Sequence, residues 1–259
     1  MDLKKEEFFY SRLEDLKRCA IRGNLGISAF FSPREIFTAT EYLKRSGVQF
    51  AFFGGYGDAE RAKCYFLPEF MEGIDDIARI SDFGYSSEIV ALQIKGSGFE
   101  GLSHRAIMGS ILGLGVQRDS IGDIVLLSES RAVFFCDERL YEFFLSDLKK
   151  IGRDTVKIER IELESVSIPE RRFLRISDTV ASARLDCIVA ALCALSRERA
   201  KDRIEQSTVE LNYELEERPD REVIAPAILS VRGVGKFRVL SVSDKTKKGR
   251  YRLLAEKYL

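Results

Sequence analysis

Residues 183–213 read ARLDCIVAALCALSRERAKDRIEQSTVELNY. Within this stretch Leu185, Ile188, Val189, Leu192 and Leu195 recur at helical spacing and make one apolar face. Ser196 stands as an N-cap for a second, short helix, predicted over 197–206, whose inward residues are Ala200 and Ile204. At about 100° per residue, Arg197 and Lys201 fall on one flank of that inward stripe, and Arg199 and Arg203 on the other. The short helix is thus edged by two basic ridges, and its free N-terminal amides add a place for an anion.

Downstream, 209–216, 228–232 and 236–243 alternate as strands. Arg232 and Lys236 are separated by Gly233-Val234-Gly235, which predicts a turn where backbone can approach a phosphate. Upstream, 170–183 holds Arg171, Arg172 and Arg175 without a firm period and reads as a linker. A C-terminal domain over 182–259 follows from this. The whole chain has 41 basic and 41 acidic residues, but 184–259 holds 16 Lys and Arg against 12 Asp and Glu, whereas the remainder holds 25 against 29. The basic excess lies where the ridges lie, which suits a nucleic-acid partner.

The first 169 residues predict two further domains. Over 1–84, an amphipathic helix (2–22) stopped by Gly23 precedes Ser32-Pro33-Arg34-Glu35, an N-cap, a first-turn proline and a capping-box glutamate. That second helix ends at Gly47, and strands at 48–53 and 63–67 flank Gly54-Gly55-Tyr56-Gly57. Over 85–169 the pattern is strand (89–94), helix (104–114), strands (121–127 and 132–136), helix (139–150) and strand (155–163), the ferredoxin-like or RRM-like order. The expected fold class is α+β with three small domains: N-terminal α/β, ferredoxin-like, and basic C-terminal.

Composition narrows the function. With 45% hydrophobic and 32% charged residues the 259-residue chain is expected to fold throughout. No apolar run approaches the ~20 residues of a membrane span, and the charged opening Met-Asp-Leu-Lys-Lys-Glu-Glu does not read as a secretory signal, so a cytoplasmic protein is expected. Five scattered cysteines without Cys-x-x-Cys argue against a disulfide framework or zinc site. No phosphate loop and no His-Glu-x-x-His are present, and the expectation is no cofactor, no metal and no catalytic residue. Two stretches look enzymatic. Arg184-Leu185-Asp186 resembles the Arg-Leu-Asp of RNA pseudouridine synthases, but only a short domain follows it. Gly54-Gly55-Tyr56-Gly57 could suggest a methyltransferase loop, yet it is not Gly-x-Gly-x-x-Gly.

Arg184-Leu185-Asp186, Ser196-Arg197, Ala200-Lys201, Ile204, Val209-x-Leu211-Asn212 and Ser230-Val231-Arg232-Gly233-x-Gly235-Lys236-Phe237 together resemble the alpha-L RNA-binding domain of ribosomal small-subunit protein four. Asn212-Tyr213 departs from the Asn-Gly common there. Gly54-Gly55-Tyr56, Ala59-Glu60-Arg61, Ser103-His104-Arg105, Leu112-Gly113-Leu114-Gly115-Val116, Arg118 and Ile121-Gly122-Asp123-Ile124 resemble the bacterial YlmH family. The resemblance implies a monomeric, ribosome-associated RNA-binding factor that handles obstructed large subunits still holding peptidyl-tRNA. Its partners would be ribosomal RNA and tRNA rather than a membrane. The candidate RNA-binding residues are Arg184, Ser196, Arg197, Lys201, Arg203, Asn212, Arg232 and Lys236, with Lys247, Lys248 and Arg250 further on. A second RNA or phosphate site is expected where the glycines at 96, 98 and 101 lead into Ser103-His104-Arg105 at a helix start, together with Arg118. The competing class is an RNA-modifying enzyme targeted by its C-terminal domain.

Overall fold

The computed structural model describes residues 3–71, 77–169, 171–246 and 249–259. The chain divides into two compact units, 1–169 and 170–259.

In the first unit, α1 (Leu3–Ile21) buries Phe9, Leu13 and Ala20 and leaves Phe8 and Ile21 exposed; Gly23 ends it at φ +81. β1 (Gly26–Phe31) was not foreseen, because the adjacent Phe30 and Phe31 are both buried, in separate clusters, and the apolar residues of GISAFF do not follow a period of two. α2 (Pro33–Leu43) opens with the predicted capping box: the Ser32 hydroxyl accepts from the Glu35 amide, and Glu35 accepts from the Ser32 amide at 2.7 Å. β2 (Gln49–Phe53) and β3 (Ala62–Leu67) complete an antiparallel sheet ordered β1-β3-β2, whose central strand is buried along its length.

A second sheet follows from β4 (Ile89–Gly96), α3 (His104–Gly113), β5 (Ile121–Ser128), β6 (Arg131–Asp137), α4 (Tyr141–Asp147), β7 (Lys150–Ile151) and β8 (Asp154–Ile161). Its order β5-β6-β4-β8-β7, antiparallel throughout, is the ferredoxin-like arrangement with one short strand added. α4 is shorter than predicted, since Glu138–Leu140 is a 3-10 turn and Lys150 already belongs to β7. Ile107, Ile111 and Phe144 from the helices pack on Val90, Leu92, Ile94 and Phe134. The sheet's other face, through Ile89, Ala91, Val133 and Phe135, packs against Phe30, Phe53 and Tyr56.

The second unit contains β9 (Phe173–Val180), α5 (Leu185–Leu192), α6 (Arg197–Glu205), β10 (Val209–Leu211), β11 (Glu214–Leu215), β12 (Ala227–Val231), β13 (Gly235–Lys245) and β14 (Tyr251–Tyr258) in one sheet ordered β11-β10-β12-β13-β14-β9. The linker reading of 170–183 is corrected here: Phe173–Val180 pairs with β14 over eight residues as an edge strand. Only Ile176 and Val180 of this strand reach the core, so no alternation marks it. α5 stops before Leu195, because Ala194 turns left-handed (φ +53) and the Leu195 amide donates to the Ala190 carbonyl at 2.9 Å. Ser207 ends α6 in the same way, with the Thr208 amide on the Arg203 carbonyl. Both helices lie on one face of the sheet, where Ile188, Leu192, Ala200 and Ile204 meet Leu229, Val231, Phe237 and Ala255. Each such large aliphatic or aromatic side chain contributes about 1.5–3 kcal/mol by leaving water. The α+β class read from the sequence holds.

Candidate nucleic-acid interface

The start of the helical pair is organised around Asp186. Its side chain is only 4% exposed, yet it receives Arg184 at 3.2 and 3.1 Å and Arg197 Nε at 3.0 Å. Burial opposes its ionisation, but the hydrogen bonds from the Arg184, Arg197 and Cys187 side chains outweigh this and hold the carboxyl below its ordinary pKa. Two guanidinium groups are thereby fixed at the edge of the unit while keeping outward-facing donors, since Arg184 is 42% and Arg197 57% exposed. Arg197 therefore carries structural weight that its flanking position did not reveal. The same geometry bears on the synthase-like reading: Asp186 is packed at a helix start under two arginines, where a nucleophile would have to stand open to a base.

Along α6, Ser196 caps as predicted, accepting from the Arg199 amide at 3.3 Å. The Arg199 side chain is exposed and has no hydrogen bond or ion pair among the described residues; Lys201 is exposed and reaches Glu205 at 3.6 Å. Toward the far end of the helix, about 9 Å along its axis from Arg197 at 1.5 Å per residue, Arg203 donates to the Arg232 carbonyl at 2.9 Å. The Arg232 amide donates to Thr208, so the glycine turn is tied to the helix end and the exposed Arg232 side chain stands beside it. Gly233 at φ +77 and Gly235 at φ +138 make this turn attainable.

Other candidates lie elsewhere. Lys236 alternates with the buried Phe237, so it emerges on the sheet face away from the helices. Its ammonium lies over the rings of Tyr213 (5.3 Å) and Tyr258 (5.0 Å). Asn212 is a turn former: its backbone and side chain both bond Ile228, and Asn212 and Tyr213 take φ +51 and +67. Tyrosine thus occupies the left-handed position where the alpha-L pattern has glycine, and the hairpin is kept. Arg250 is held by Thr179 of the edge strand. Lys247 and Lys248 lie outside the described residues. The structure thus brings Arg184 and Arg197 together on Asp186 beside the Ser196 cap, leaves Lys201 one turn further along α6 with Glu205, joins Arg203 to Arg232, and places Asn212, Lys236 and Arg250 on other elements.

In the first unit, Ser103 caps α3, accepting from the Ala106 amide at 3.2 Å, with His104 and Arg105 exposed beside it. Arg118 does not join them. It follows the other end of α3 and is spent on the Ile121 carbonyl at 2.7 Å, its pKa pushed down to about 10 by burial and by neighbouring Arg61. Arg61 in turn donates to the Ile121, Phe30 and Arg118 carbonyls. Asp123 accepts from Tyr56 Oη and from the Glu60 and Arg61 amides at 2.7, 2.7 and 3.0 Å. The Gly54-Gly55-Tyr56 motif is therefore part of a clasp: a Cβ on Gly55 would come within 2.4 Å of Phe135, against which Tyr56 stacks at 5.0 Å. Among the described residues no group of three or more His, Cys, Asp or Glu is placed to hold a metal, and no helix is long and apolar enough to cross a membrane.

Residues 82–165 match the family model described as "Putative RNA-binding domain in YlmH". The chain is 28% identical over 256 residues to the ribosome-associated protein quality control protein P2 of Bacillus subtilis (strain 168), covering 98% of this chain and 96% of that one. Its fold resembles that of the cell division protein ylmH from Streptococcus pneumoniae, with a TM-score of 0.51 and 23% identity over 64% of this chain and 97% of the other. The chain thus matches the YlmH RNA-binding-domain model between residues 82 and 165 and is similar over nearly its whole length to the Bacillus subtilis ribosome-associated quality control protein.

Proposed function

We propose that this chain is a non-catalytic, cytoplasmic RNA-binding factor that associates with ribosomal RNA on the large subunit and with tRNA there, in the handling of stalled translation. In this reading 170–259 is an alpha-L RNA-binding domain, and the first unit adds a second contact. The observation that carries it is the fixed arginine pair on Asp186 leading into the exposed Arg199 and Lys201 of α6. Guanidinium groups pre-oriented by a buried carboxylate lose little freedom on meeting a phosphate, and their forked donors suit it. The match of 82–165 to an RNA-binding domain, and a relative named for ribosome-associated quality control, support the same reading. The RNA-modifying alternative finds no support at Asp186, whose oxygens are engaged by both arginines.

The test is co-sedimentation with large subunits over a salt series, comparing the native chain with the combined variant Arg199→Ala, Lys201→Ala, Arg232→Ala. With about five phosphate contacts the slope of log affinity on log salt is about −4, and losing two or three brings it to about −2. Unchanged affinity and slope would mean that these cations are merely solvated.

A further inference from the structure

We propose that the loop at 96–101 presents Phe99 to stack on an unpaired RNA base while Lys95, Arg131, Arg153 and Lys157 hold the neighbouring phosphates; this rests on the RNA-binding reading above. Phe99 is 77% exposed, on a loop reading Gly-Ser-Gly-Phe-Glu-Gly. The loop is pinned at its base. Gly96 donates to Ser130 at 2.8 Å, Ser97 to Thr155 at 3.1 Å and Leu102 to Glu129 at 2.7 Å, while the Ser97 hydroxyl bonds the buried Asp154. Gly98 at φ +86 turns the chain just before the phenylalanine. The aromatic ring is therefore held out from a braced support.

The cations at the base of its loop are arranged at a cost to folding. Lys95 stands directly opposite Arg131 on β6 and Lys157 on β8, and like charges in register across strands repel. Glu159 alone pairs with Lys95 and Lys157, and Arg131 has no ion pair among the described residues. Arg153, 81% exposed, leans on Glu100 of the same loop at 3.6 Å. This basic row sits in the part of the sequence with an acidic excess, so it is not a sample of the average surface. A single ring offers too little apolar area to anchor on a lipid surface, whereas one ring flanked by cations is how single-stranded nucleic acid is engaged, through one base stack and adjacent phosphate contacts.

The chain contains no tryptophan, so Phe99→Trp in the full chain makes a single-site fluorescence reporter. The probes are a hairpin RNA with an unpaired loop and a blunt duplex of the same stem. The variant's emission is expected to be quenched by the hairpin and not by the duplex. Phe99→Ala is expected to weaken hairpin binding about five- to 150-fold, the range of one base–aromatic stack, and to leave duplex binding unchanged. Replacing Lys95, Arg131 and Lys157 by Ala should make the salt slope shallower by about 2. Emission that stays unchanged at saturating hairpin, or an equal loss of hairpin and duplex in Phe99→Ala, overturns the stacking proposal alone. Failure of the native chain to bind either RNA overturns the RNA-binding reading and this proposal together.

Discussion

Arg197 Nε lies 3.0 Å from Asp186 Oδ2, across eleven residues of sequence and at the start of the helix that carries the basic ridges. Removing this arginine leaves Arg184 as the only guanidinium on a buried carboxylate. We expect Arg197→Ala to lower stability by about 1.5–3 kcal/mol, the range for a hydrogen bond to a charged group. Arg199→Ala should leave it within about 0.5 kcal/mol. Urea midpoints of the two variants check this; equal midpoints would show that the clamp contributes nothing.

Asp123 takes three hydrogen bonds, two of them from the Glu60 and Arg61 backbone amides. Asp123→Ala is expected to cost about 2–3 kcal/mol in the first unit, because it leaves three part-buried donors unsatisfied and a fully buried one costs about 1–3 kcal/mol. Tyr56→Phe, which removes one of the three, should cost about 1 kcal/mol. Thermal melts of both variants would reveal the ordering, and a reversed ordering would refute the clasp.

Lys63 is 1% exposed and meets Asp137 at 3.2 Å and the Glu88 carbonyl at 3.1 Å. Burial opposes ionisation of Asp137, but Arg139 and Lys63 prevail and bring its pKa to about 2, below the ordinary 3.8. A carboxyl depressed in the folded state binds fewer protons there than in the unfolded chain. Its stabilisation is thus complete above about pH 4 and is lost as pH falls toward 2. Urea midpoints measured across that window should fall with pH. The joint variant Lys63→Met, Asp137→Asn should lack this part of the pH dependence while still folding, as replacement of a whole buried pair is tolerated far better than removal of one partner.

In the proposed reading the second unit's cations make phosphate-type contacts, which position a protein on RNA and carry little sequence information. Residues 170–259 alone are expected to bind ribosomal and unrelated structured RNAs with similar, salt-sensitive affinity. The full chain should prefer large subunits by at least about tenfold, or about 1.4 kcal/mol, through its second contact. Competition titration of both proteins at one salt concentration decides the matter; equal selectivity would remove the first unit from RNA choice.

Elements with a period or a cap were legible in the sequence. The capping box at Ser32 and Glu35, the ferredoxin-like order, and the α5 face through Leu185, Ile188, Val189 and Leu192 all follow from local patterns. β1 and β9 were not, for opposite reasons: one buries the adjacent Phe30 and Phe31 in separate clusters, and the other sits at an edge with two residues inward. Of the candidate site, residue types and the helix-start cluster were legible. What each cation already holds was not: Arg250 and Arg197 are engaged by partners distant in sequence, and Arg118 turns back on the Ile121 carbonyl three residues on. Phe99 escaped notice because a lone aromatic among glycines has no period, and only its exposure distinguishes it.

Phe30 and Tyr56 lie on the Phe135 face of the ferredoxin-like sheet, the face that RRM domains offer to bases. The N-terminal segment thus behaves as a permanent internal occupant, competing with every nucleobase for the same aromatic surface at an effective concentration no free RNA attains. Any recognition by this part of the chain is selective by subtraction. The broad, sequence-tolerant platform is withdrawn, and contacts are left to the sheet's rim and the loops that rise from it.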